Sequence, residues 1–350
     1  MEDRLSSPSM FIGVQGKGII SFGSGQPDLP PPRQVYSILP TYRAFKYGLV
    51  QGQENLRKAL SKGYKGSKAS NFVITNGASE ALDLSFRVMK PRDKVLIHAP
   101  YYYTYPHLVA KAFLTPVFTE THEGKIVLED FDKKVRECKA VLINSPSNPT
   151  GRIQDIKTLK EIEKITTDLN VTLISDEVYK DLIYERENYM LSGSHVVTIN
   201  SFSKTFSMCG FRVGYLYSND PSFVERIVNL KTYTSMNTNI LAQEMAYEAT
   251  KVPKKYSSSQ LKIWKERRNL IYNGLTELGL DLWKPEGAFY VLPKIKEPRK
   301  FVWKLFKKYK TITYLGEWFG APNRVRFSYA LDASKIEEGL KRVRKCLKEL

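Results

Sequence analysis

One lysine follows an apolar segment of the chain and is surrounded by small hydroxyl side chains. Lys204 lies in the run SFSKTFS, directly after the apolar residues 196–200. An amine with an ordinary pKa of about 10.4 is protonated at neutral pH, so a nucleophilic lysine needs help from its surroundings. Ser201 and Arg212 flank it and could clamp an anion. In isolation such a lysine is more often a solvated surface residue, and the hypothesis of a reactive amine depends on its companions.

A carboxylate ends a second apolar segment. Asp176 follows residues 171–175 in the run SDEVY. A carboxylate at the mouth of a buried strand is costly unless a cation pairs with it. A protonated pyridine nitrogen is one cation that could do so.

Two polar loops follow other apolar segments. In NSPSNPTG, residues 144–151, two prolines hold the chain in non-helical conformations around Asn148 and fix its amide. In NGASE, residues 76–80, a glycine permits close approach of the backbone, Ser79 could cap a helix, and free amides would suit a phosphate. An ordinary turn and an ordinary capped helix are the alternative interpretations of these two loops.

These loops must be positioned by a sheet. The apolar segments are short, β-branched and nearly continuous, which is typical of strands buried on both faces. Helical patterns separate most of them, and this alternation predicts a mainly parallel, doubly wound α/β sheet with helices on both faces. Such sheets bind ligands at the carboxyl ends of their strands. The predicted strands are 71–75, 94–98, 140–144, 171–175, 196–200 and 213–217, and the clearest helices are 54–63, 79–89 and 157–168.

The pattern changes after about residue 235. A charged helix is predicted over 260–279, strands over 288–292 and 324–329, and an amphipathic helix from Ser334. This arrangement is typical of a smaller α+β domain, and the proline-rich turn at 26–32 is expected to cross between domains. We therefore predict a large domain over 40–235 and a small domain formed by 1–39 together with 236–350.

The amino-acid composition limits the kinds of molecule that the protein is expected to bind. The 350 residues include 54 Lys and Arg against 36 Asp and Glu, and the net charge of +18 would attract anions. Scattered basic residues without a zinc-finger, RNP or basic-zipper signature disfavour a nucleic-acid partner. Three cysteines without ligand spacing predict neither disulfides nor a metal site. With no signal-peptide pattern and no run of about 20 apolar residues, a cytoplasmic location without a membrane partner is expected.

Taken together, SFSK with Arg212, SDEVY and NSPSNPTG resemble the fold-type-I pyridoxal-phosphate (PLP) aminotransferases of class I/II, especially the aspartate/aromatic group. The resemblance extends over nearly the whole chain. It implies the PLP-dependent transferase fold with a seven-stranded sheet, PLP as cofactor, and transfer of the amino group of an L-amino acid to a 2-oxo acid such as 2-oxoglutarate.

The resemblance also implies roles for residues around the cofactor. Lys204 would bond PLP covalently and move a proton, and Asp176 would pair with its ring nitrogen. Tyr179 and Asn148 would bind its phenolate oxygen, and Tyr102 would stack on the ring where relatives often carry tryptophan. The phosphate would be held by Ala78, Ser79, Ser201 and Arg212.

Three further matches concern the substrate and the assembly. Arg326, assisted by Asn148, matches the arginine that grips the α-carboxylate, since a planar guanidinium can donate two parallel hydrogen bonds. Gly25 lies in SGQPD, which resembles a loop beside the substrate. Tyr47 matches a tyrosine that reaches the phosphate of the neighbouring subunit, which implies a homodimer. By residue type alone, Arg326 could instead be a surface charge and Tyr47 a packing residue.

One alternative activity shares the same motifs. A C–S lyase of this fold, which catalyses β-elimination, uses the same cofactor and the same early chemistry. The donor also stays open at this point, since aspartate, aromatic residues, alanine and 2-aminoadipate all carry the same α-carboxylate.

Overall fold

The structure is a computed structural model that describes residues 5–350. Within that range the helices are α1 Glu54–Ser61, α2 Ala78–Arg87, α3 Thr104–Lys111, α4 Leu128–Val135, α5 Ile156–Asp168, α6 Pro221–Thr232, α7 Ile240–Thr250, α8 Lys254–Thr276, α9 Pro298–Tyr309 and α10 Ala333–Lys348. The strands are β1 Ile20–Ser21, β2 Phe72–Thr75, β3 Lys94–His98, β4 Thr115–Thr119, β5 Thr121–His122, β6 Lys125–Ile126, β7 Ala140–Asn144, β8 Thr172–Asp176, β9 Val196–Ser201, β10 Gly214–Ser218, β11 Tyr290–Val291, β12 Thr311–Ile312, β13 Tyr314–Leu315 and β14 Val325–Ser328.

Seven strands form the main sheet in the order β2-β10-β9-β8-β7-β3-β4. The neighbours from β9 to β4 are parallel, and β10 runs antiparallel to β2 and β9. Every residue of β2, β7, β9 and β10 is buried, because helices cover both faces and leave no water-facing side. The predicted α/β class with a mainly parallel sheet is confirmed.

Strand β4 was not among the predicted strands. It lies at the edge of the sheet, pairs only with β3, and leaves most of its side chains partly or fully exposed. Its Pro116 lacks a backbone donor, which an edge strand tolerates. The mixed exposure of an edge strand gives none of the continuous apolar character by which the other six strands were predicted.

A second core combines the two ends of the described chain. Phe11 and Phe22 from the N-terminal segment pack with residues of α8, α9, α10 and β14. Two small sheets accompany this core, β11-β14-β13 and the parallel pair β1-β12. Both ends of the chain thus contribute to one core, and the division into domains at 40 and 235 stays a prediction.

Residues 5–350 lack two features, a membrane-spanning helix and a metal-binding cluster. No helix there combines the length and apolar character needed to cross a bilayer. In the same residues no cluster of three or more His, Cys, Asp or Glu side chains is arranged to hold a metal ion.

Candidate functional site

The carboxyl ends of the central strands lie in register at one edge of the main sheet. Asn144, the last residue of β7, is opposite Asp176, the last residue of β8, and Asp176 is opposite Ile199 of β9. Ser201, which ends β9, is opposite Gly214, which begins β10. The parallel order therefore brings polar residues from distant parts of the sequence to one place.

A cavity of about 480 Å³ opens at this edge. Its volume is that of a small-molecule site, for which roughly 300–1,000 Å³ is typical. The structure brings eleven of the predicted site residues to its wall: Gly25, Ala78, Ser79, Tyr102, Asn148, Asp176, Tyr179, Ser201, Lys204, Arg212 and Arg326. Tyr47 is not among the lining residues, and its side chain is 85% exposed elsewhere on the surface.

Asp176 is a buried carboxylate whose bonds come from uncharged donors. The hydroxyl of Tyr105 donates to one oxygen at 2.7 Å, and the backbone N–H of Val178 donates to the other at 3.2 Å. Within residues 5–350 it makes no ion pair. Burial raises the pKa of Asp176 from 3.8 to about 6, against the opposing effects of these hydrogen bonds and of the charge of Lys204. A cationic ring nitrogen at this carboxylate would supply the missing counter-charge.

The raised pKa makes Asp176 a source of instability in the ligand-free protein. Because the folded carboxyl holds its proton more tightly than the unfolded one, its contribution to stability is complete below about pH 3.8 and is lost as the pH rises through about 6. We therefore expect Asp176→Asn to be more stable than the parent at pH 8, by on the order of 2–3 kcal/mol, and nearly equal at pH 4.

Urea unfolding of the ligand-free proteins between pH 4 and pH 8 measures this difference. Asp168→Asn, which changes an exposed carboxylate at the end of α5, is the control and should follow the parent at every pH. A constant offset between Asp176→Asn and the parent would contradict the expectation.

An anion-binding end of the cavity is formed where α2 begins. Gly77 precedes the helix with φ +79°, and a Cβ there would come within 2.5 Å of the Arg212 guanidinium. The free amides of α2, the Ser201 hydroxyl and Arg212 thus face the same space. Ser79 does not cap the helix as expected, because the chain enters through Gly77, which has no side chain to do so. Ser79 and Arg212 are both exposed, so this end of the cavity is open to solvent.

Lys204 lies in the middle of the cavity, in the turn after β9. Its ammonium donates to the backbone carbonyl of Gly25 at 2.7 Å and lies 6.0 Å from the centre of the Tyr179 ring. The side chain is half-buried and makes no ion pair within residues 5–350. A primary amine that is held by a single hydrogen bond to a backbone carbonyl can be released to react with a carbonyl compound.

Arg326 is the most buried cation of the cavity, at 2% exposure. One guanidinium nitrogen donates to the side-chain oxygen of Asn148 at 2.9 Å, and another donates to the carbonyl of Gly23. Nε has no hydrogen-bond partner in the part of the chain that the structure describes. Aromatic rings surround the guanidinium, with centres 4.6 Å away at Tyr290 and 4.9 Å away at Tyr314. Within residues 5–350 no carboxylate pairs with it. A buried cation of this kind favours a ligand that brings its own carboxylate.

Three residues of the site were missed from the sequence. Tyr105 is the hydrogen-bond donor to Asp176, and the Tyr290 hydroxyl lies 2.8 Å from that of Tyr179. Asn144 connects Asp176 with Asn148. Its side-chain amide donates to the backbone carbonyl of Asp176, and its side-chain oxygen accepts from the backbone N–H of Asn148. Tyr105 belongs to the tyrosine-rich run at 101–105, but nothing in the local sequence distinguishes it from the other tyrosines of that run. Nothing local distinguishes Tyr290.

The charges of the cavity wall indicate which charged groups a ligand there should carry. Lys204, Arg212 and Arg326 face one carboxylate, Asp176, so the wall carries an excess of positive charge. The two arginines lie at separate places: Arg212 precedes β10 and lies beside the start of α2, and Arg326 is on β14. The arrangement suits two anionic groups, a cationic ring nitrogen and a carbonyl within reach of one amine.

Comparison with known proteins identifies the family. The chain matches the family model "Aminotransferase class I and II" over residues 17–343. It is 32% identical to a probable aspartate/prephenate aminotransferase of Aquifex aeolicus, over 99% of this chain and 95% of that protein. It is 30% identical to aromatic-amino-acid aminotransferase 2 of Thermococcus litoralis, over 100% of this chain and 98% of that protein. The crystal structure of an aspartate aminotransferase from Thermotoga maritima superimposes with a TM-score of 0.92 at 30% identity, over 99% of this chain and 98% of that one.

These matches cover nearly the full length of the chain and its relatives. The predicted activity, transfer of an amino group, is confirmed, and the alternative of a C–S lyase is not favoured. The chain belongs to the class I and II aminotransferases.

Proposed function

We propose that this enzyme uses pyridoxal phosphate to move the amino group of an L-amino acid, of the aspartate or aromatic type, to a 2-oxo acid such as 2-oxoglutarate. The observation that carries the proposal is the composition of one cavity wall, which holds an amine, a buried carboxylate and two arginines; among residues 5–350 neither the carboxylate nor the arginines form an ion pair. PLP offers the complementary groups, namely an aldehyde, a ring nitrogen and a phosphate. An amino acid offers the remaining carboxylate.

Bound PLP supplies an electron-withdrawing ring that stabilises negative charge on the substrate Cα. Lys204 is proposed to bond the cofactor and then, once displaced by the substrate amine, to carry a proton from Cα. Asp176 would keep the ring nitrogen protonated, and this requires an ionised carboxyl, so cofactor binding should oppose the raised pKa of that group. Tyr179 and Asn148 would bind the phenolate oxygen, and Tyr102 would stack on the ring.

The phosphate is proposed to occupy the exposed end of the cavity, where the amides of Ala78 and Ser79, the hydroxyl of Ser201 and the guanidinium of Arg212 converge. A helix N-terminus and an arginine are both favourable to a doubly charged anion.

The substrate α-carboxylate is proposed to bind Arg326. Asn148 orients the guanidinium through its side-chain oxygen, and Asn148 is itself held by Asn144. The carbonyl of Gly25, which accepts from the Lys204 ammonium, would keep that amine in place until the cofactor arrives. The substrate amine would then lie next to Lys204, with its carboxylate fixed at the far wall.

A panel of amino acids offered with 2-oxoglutarate and PLP tests the reaction. Formation of glutamate from aspartate or from an aromatic amino acid supports the proposal, and a donor of neither class would correct its substrate part. Pyruvate formed from cystathionine without any 2-oxo acid would instead favour the alternative C–S lyase activity.

Because its three cysteines are all unpaired, we propose that the enzyme is located in the reducing cytoplasm.

We propose further that the enzyme is a homodimer in which Tyr47 covers the neighbouring subunit's phosphate. The phosphate end of the cavity is open on this chain, and Tyr47 is one of several large side chains that this chain leaves exposed. Gly48 lies against Ile240, which places this loop beside the segment that carries exposed Tyr233 and Met236. An isologous interface over this surface would bring both tyrosines to both sites.

Mixing two defective proteins tests the shared site. Tyr47→Ala at limiting PLP and Lys204→Ala should each be inactive, but a mixed dimer has one site with both lesions and one with neither. After subunit exchange we expect up to about a quarter of the sites to be active, as random pairing of two chains gives. Activity that does not return after verified exchange, or a fully active monomer by light scattering, would contradict the shared site.

A further inference from the structure

A buried ion pair lies directly beneath the anion-binding end of the cavity. Lys231, near the end of α6, has a side chain that is 0% exposed, and its ammonium is 3.0 Å from a carboxylate oxygen of Glu80 in the first turn of α2. Ser235 accepts from the same ammonium at 2.6 Å and donates to the other oxygen of Glu80. Glu80 and Lys231 do not line the cavity, so they do not touch a ligand there.

The carboxylate of Glu80 also holds the chain that enters α2. The oxygen that lies 3.0 Å from Lys231 also accepts from the backbone N–H of Asn76 at 2.6 Å and from the side-chain amide of Asn76 at 3.0 Å. The carbonyl of Asn76 in turn accepts from the Arg212 guanidinium at 3.3 Å. A continuous set of contacts thus runs from Lys231 through Glu80 and Asn76 to Arg212.

The turn that these contacts hold, residues 76–79, has little tolerance for movement. Gly77 has φ +79°, and a Cβ on Gly214 would lie 2.6 Å from the Gly77 carbonyl carbon and 2.7 Å from the Ala78 nitrogen. The strand β10 therefore supports the turn from behind at backbone contact distance. Amides bind an anion well only when they already point at it, since ordering them during binding costs affinity.

A buried ion pair is weak evidence for stability, because desolvation of both charges offsets their attraction. Glu80 moreover places a negative charge near a site for an anion, which is unfavourable unless that charge is neutralised. Despite burial, which raises it, the pKa of Glu80 is held below its usual value by hydrogen bonds from Ser235 and Asn76 and by the charge of Lys231. The carboxylate is therefore ionised at neutral pH, and Lys231 is the cation that balances it.

We propose that Glu80 and Lys231 are a positioning pair for the phosphate site: Glu80 holds the turn at residues 76–79 in its anion-binding shape, and Lys231 cancels the charge that Glu80 would otherwise direct at the phosphate. The inference rests on the proposed use of PLP. It assigns a function to two residues that touch neither cofactor nor substrate.

The test compares PLP with pyridoxal, the same aldehyde without its phosphate, as ligands of the ligand-free protein in equilibrium dialysis. Glu80→Gln should weaken PLP binding by about tenfold, because a neutral amide oxygen holds the Asn76 donors less strongly than a carboxylate does, and should leave pyridoxal within about twofold. Lys231→Met should weaken PLP binding further, because an unpaired carboxylate remains under the phosphate. That additional loss should diminish as the pH falls and the carboxylate takes up a proton.

The double variant Glu80→Gln/Lys231→Met distinguishes the effect of the Glu80 charge on the phosphate from the effect of Glu80 on the shape of the turn at residues 76–79. Removing the carboxylate should restore part of the PLP affinity that Lys231→Met loses, a recovery that a merely structural role does not produce. If Lys231→Met does not fold, Ser235→Ala takes its place, with a smaller loss that is again selective for PLP. Glu185→Gln is the matched control, because Glu185 pairs with the fully buried Arg268 away from the cavity, and it should change neither affinity.

Equal losses for PLP and pyridoxal, or unchanged affinities in Glu80→Gln, would overturn the positioning role. The proposed function fails in a different way, since the parent protein would then bind neither aldehyde at Lys204, and the positioning pair would fall with it. A parent that binds PLP more tightly than pyridoxal, together with variants that keep this preference, would leave the function standing and refute the pair alone.

Discussion

Lys204→Ala is expected to lose amino-group transfer by about 10⁴-fold or more, which is the combined loss of a covalent nucleophile and a positioned proton carrier. Among the described residues that line the cavity, Lys204 supplies the one primary amine. The measurement is the initial rate of glutamate formation from the best donor, at saturating PLP.

Two control variants define what is lost. Lys204→Arg keeps the positive charge without a nucleophilic amine and should be as inactive as Lys204→Ala, whereas Lys157→Ala, at an exposed position of α5, should keep the parent rate. Activity in Lys204→Arg close to that of the parent would reduce Lys204 to an electrostatic role. Activity in Lys204→Ala would assign the chemistry to another group.

Arg326→Leu is expected to lower kcat/KM for the amino donor by about 10³-fold, since loss of a buried charged partner costs about 2–5 kcal/mol. Tyr290, Tyr314 and the Asn148 amide enclose the guanidinium, which is 2% exposed, so water would screen its pairing with a carboxylate only weakly. Arg326→Lys should recover only part of the loss, because an ammonium cannot donate two parallel hydrogen bonds.

A substrate analogue shows whether the loss belongs to the α-carboxylate. Tyrosine and tyramine differ by that group alone, so the parent should strongly prefer tyrosine in single-turnover reactions and Arg326→Leu should lose this preference. Arg268→Lys changes another fully buried arginine, which pairs with Glu185 outside the cavity. It should lower the thermal stability and leave the preference for tyrosine unchanged. A preference that survives in Arg326→Leu would place the carboxylate elsewhere.

The residues that could be predicted from the sequence share one property. Asp176 and Ser201 end strands whose apolar character is continuous, and Asn148 lies in the loop after such a strand, so the end of the strand marks the position of the residue. Fully buried parallel strands have this signature because both of their faces meet helices. The order of these loops along the chain then implied their convergence at one edge of the sheet.

The residues that could not be predicted owe their positions to contacts across the fold. Tyr105 meets Asp176 from 71 residues away, and Lys231 meets Glu80 from 151 residues away. Neither belongs to a loop at a strand end, and each is an ordinary member of a helix in the local pattern. Only the packing of α3 and α6 against the sheet shows which carboxylate each side chain reaches.

The pairing of β1 with β12 has a consequence for the way the chain is made. Ile20 lies beside Thr311, and the N–H of Phe22 donates to the carbonyl of Ile312, so an early segment completes its hydrogen bonds only with a very late one. At about 5–20 residues per second, the ribosome leaves that early segment without its partner for tens of seconds. The main sheet, whose strands all lie between residues 72 and 218, can assemble in that interval. Phe11 and Phe22 stay unburied until α8, α9 and α10 emerge, and during synthesis they form an apolar surface that a chaperone could protect.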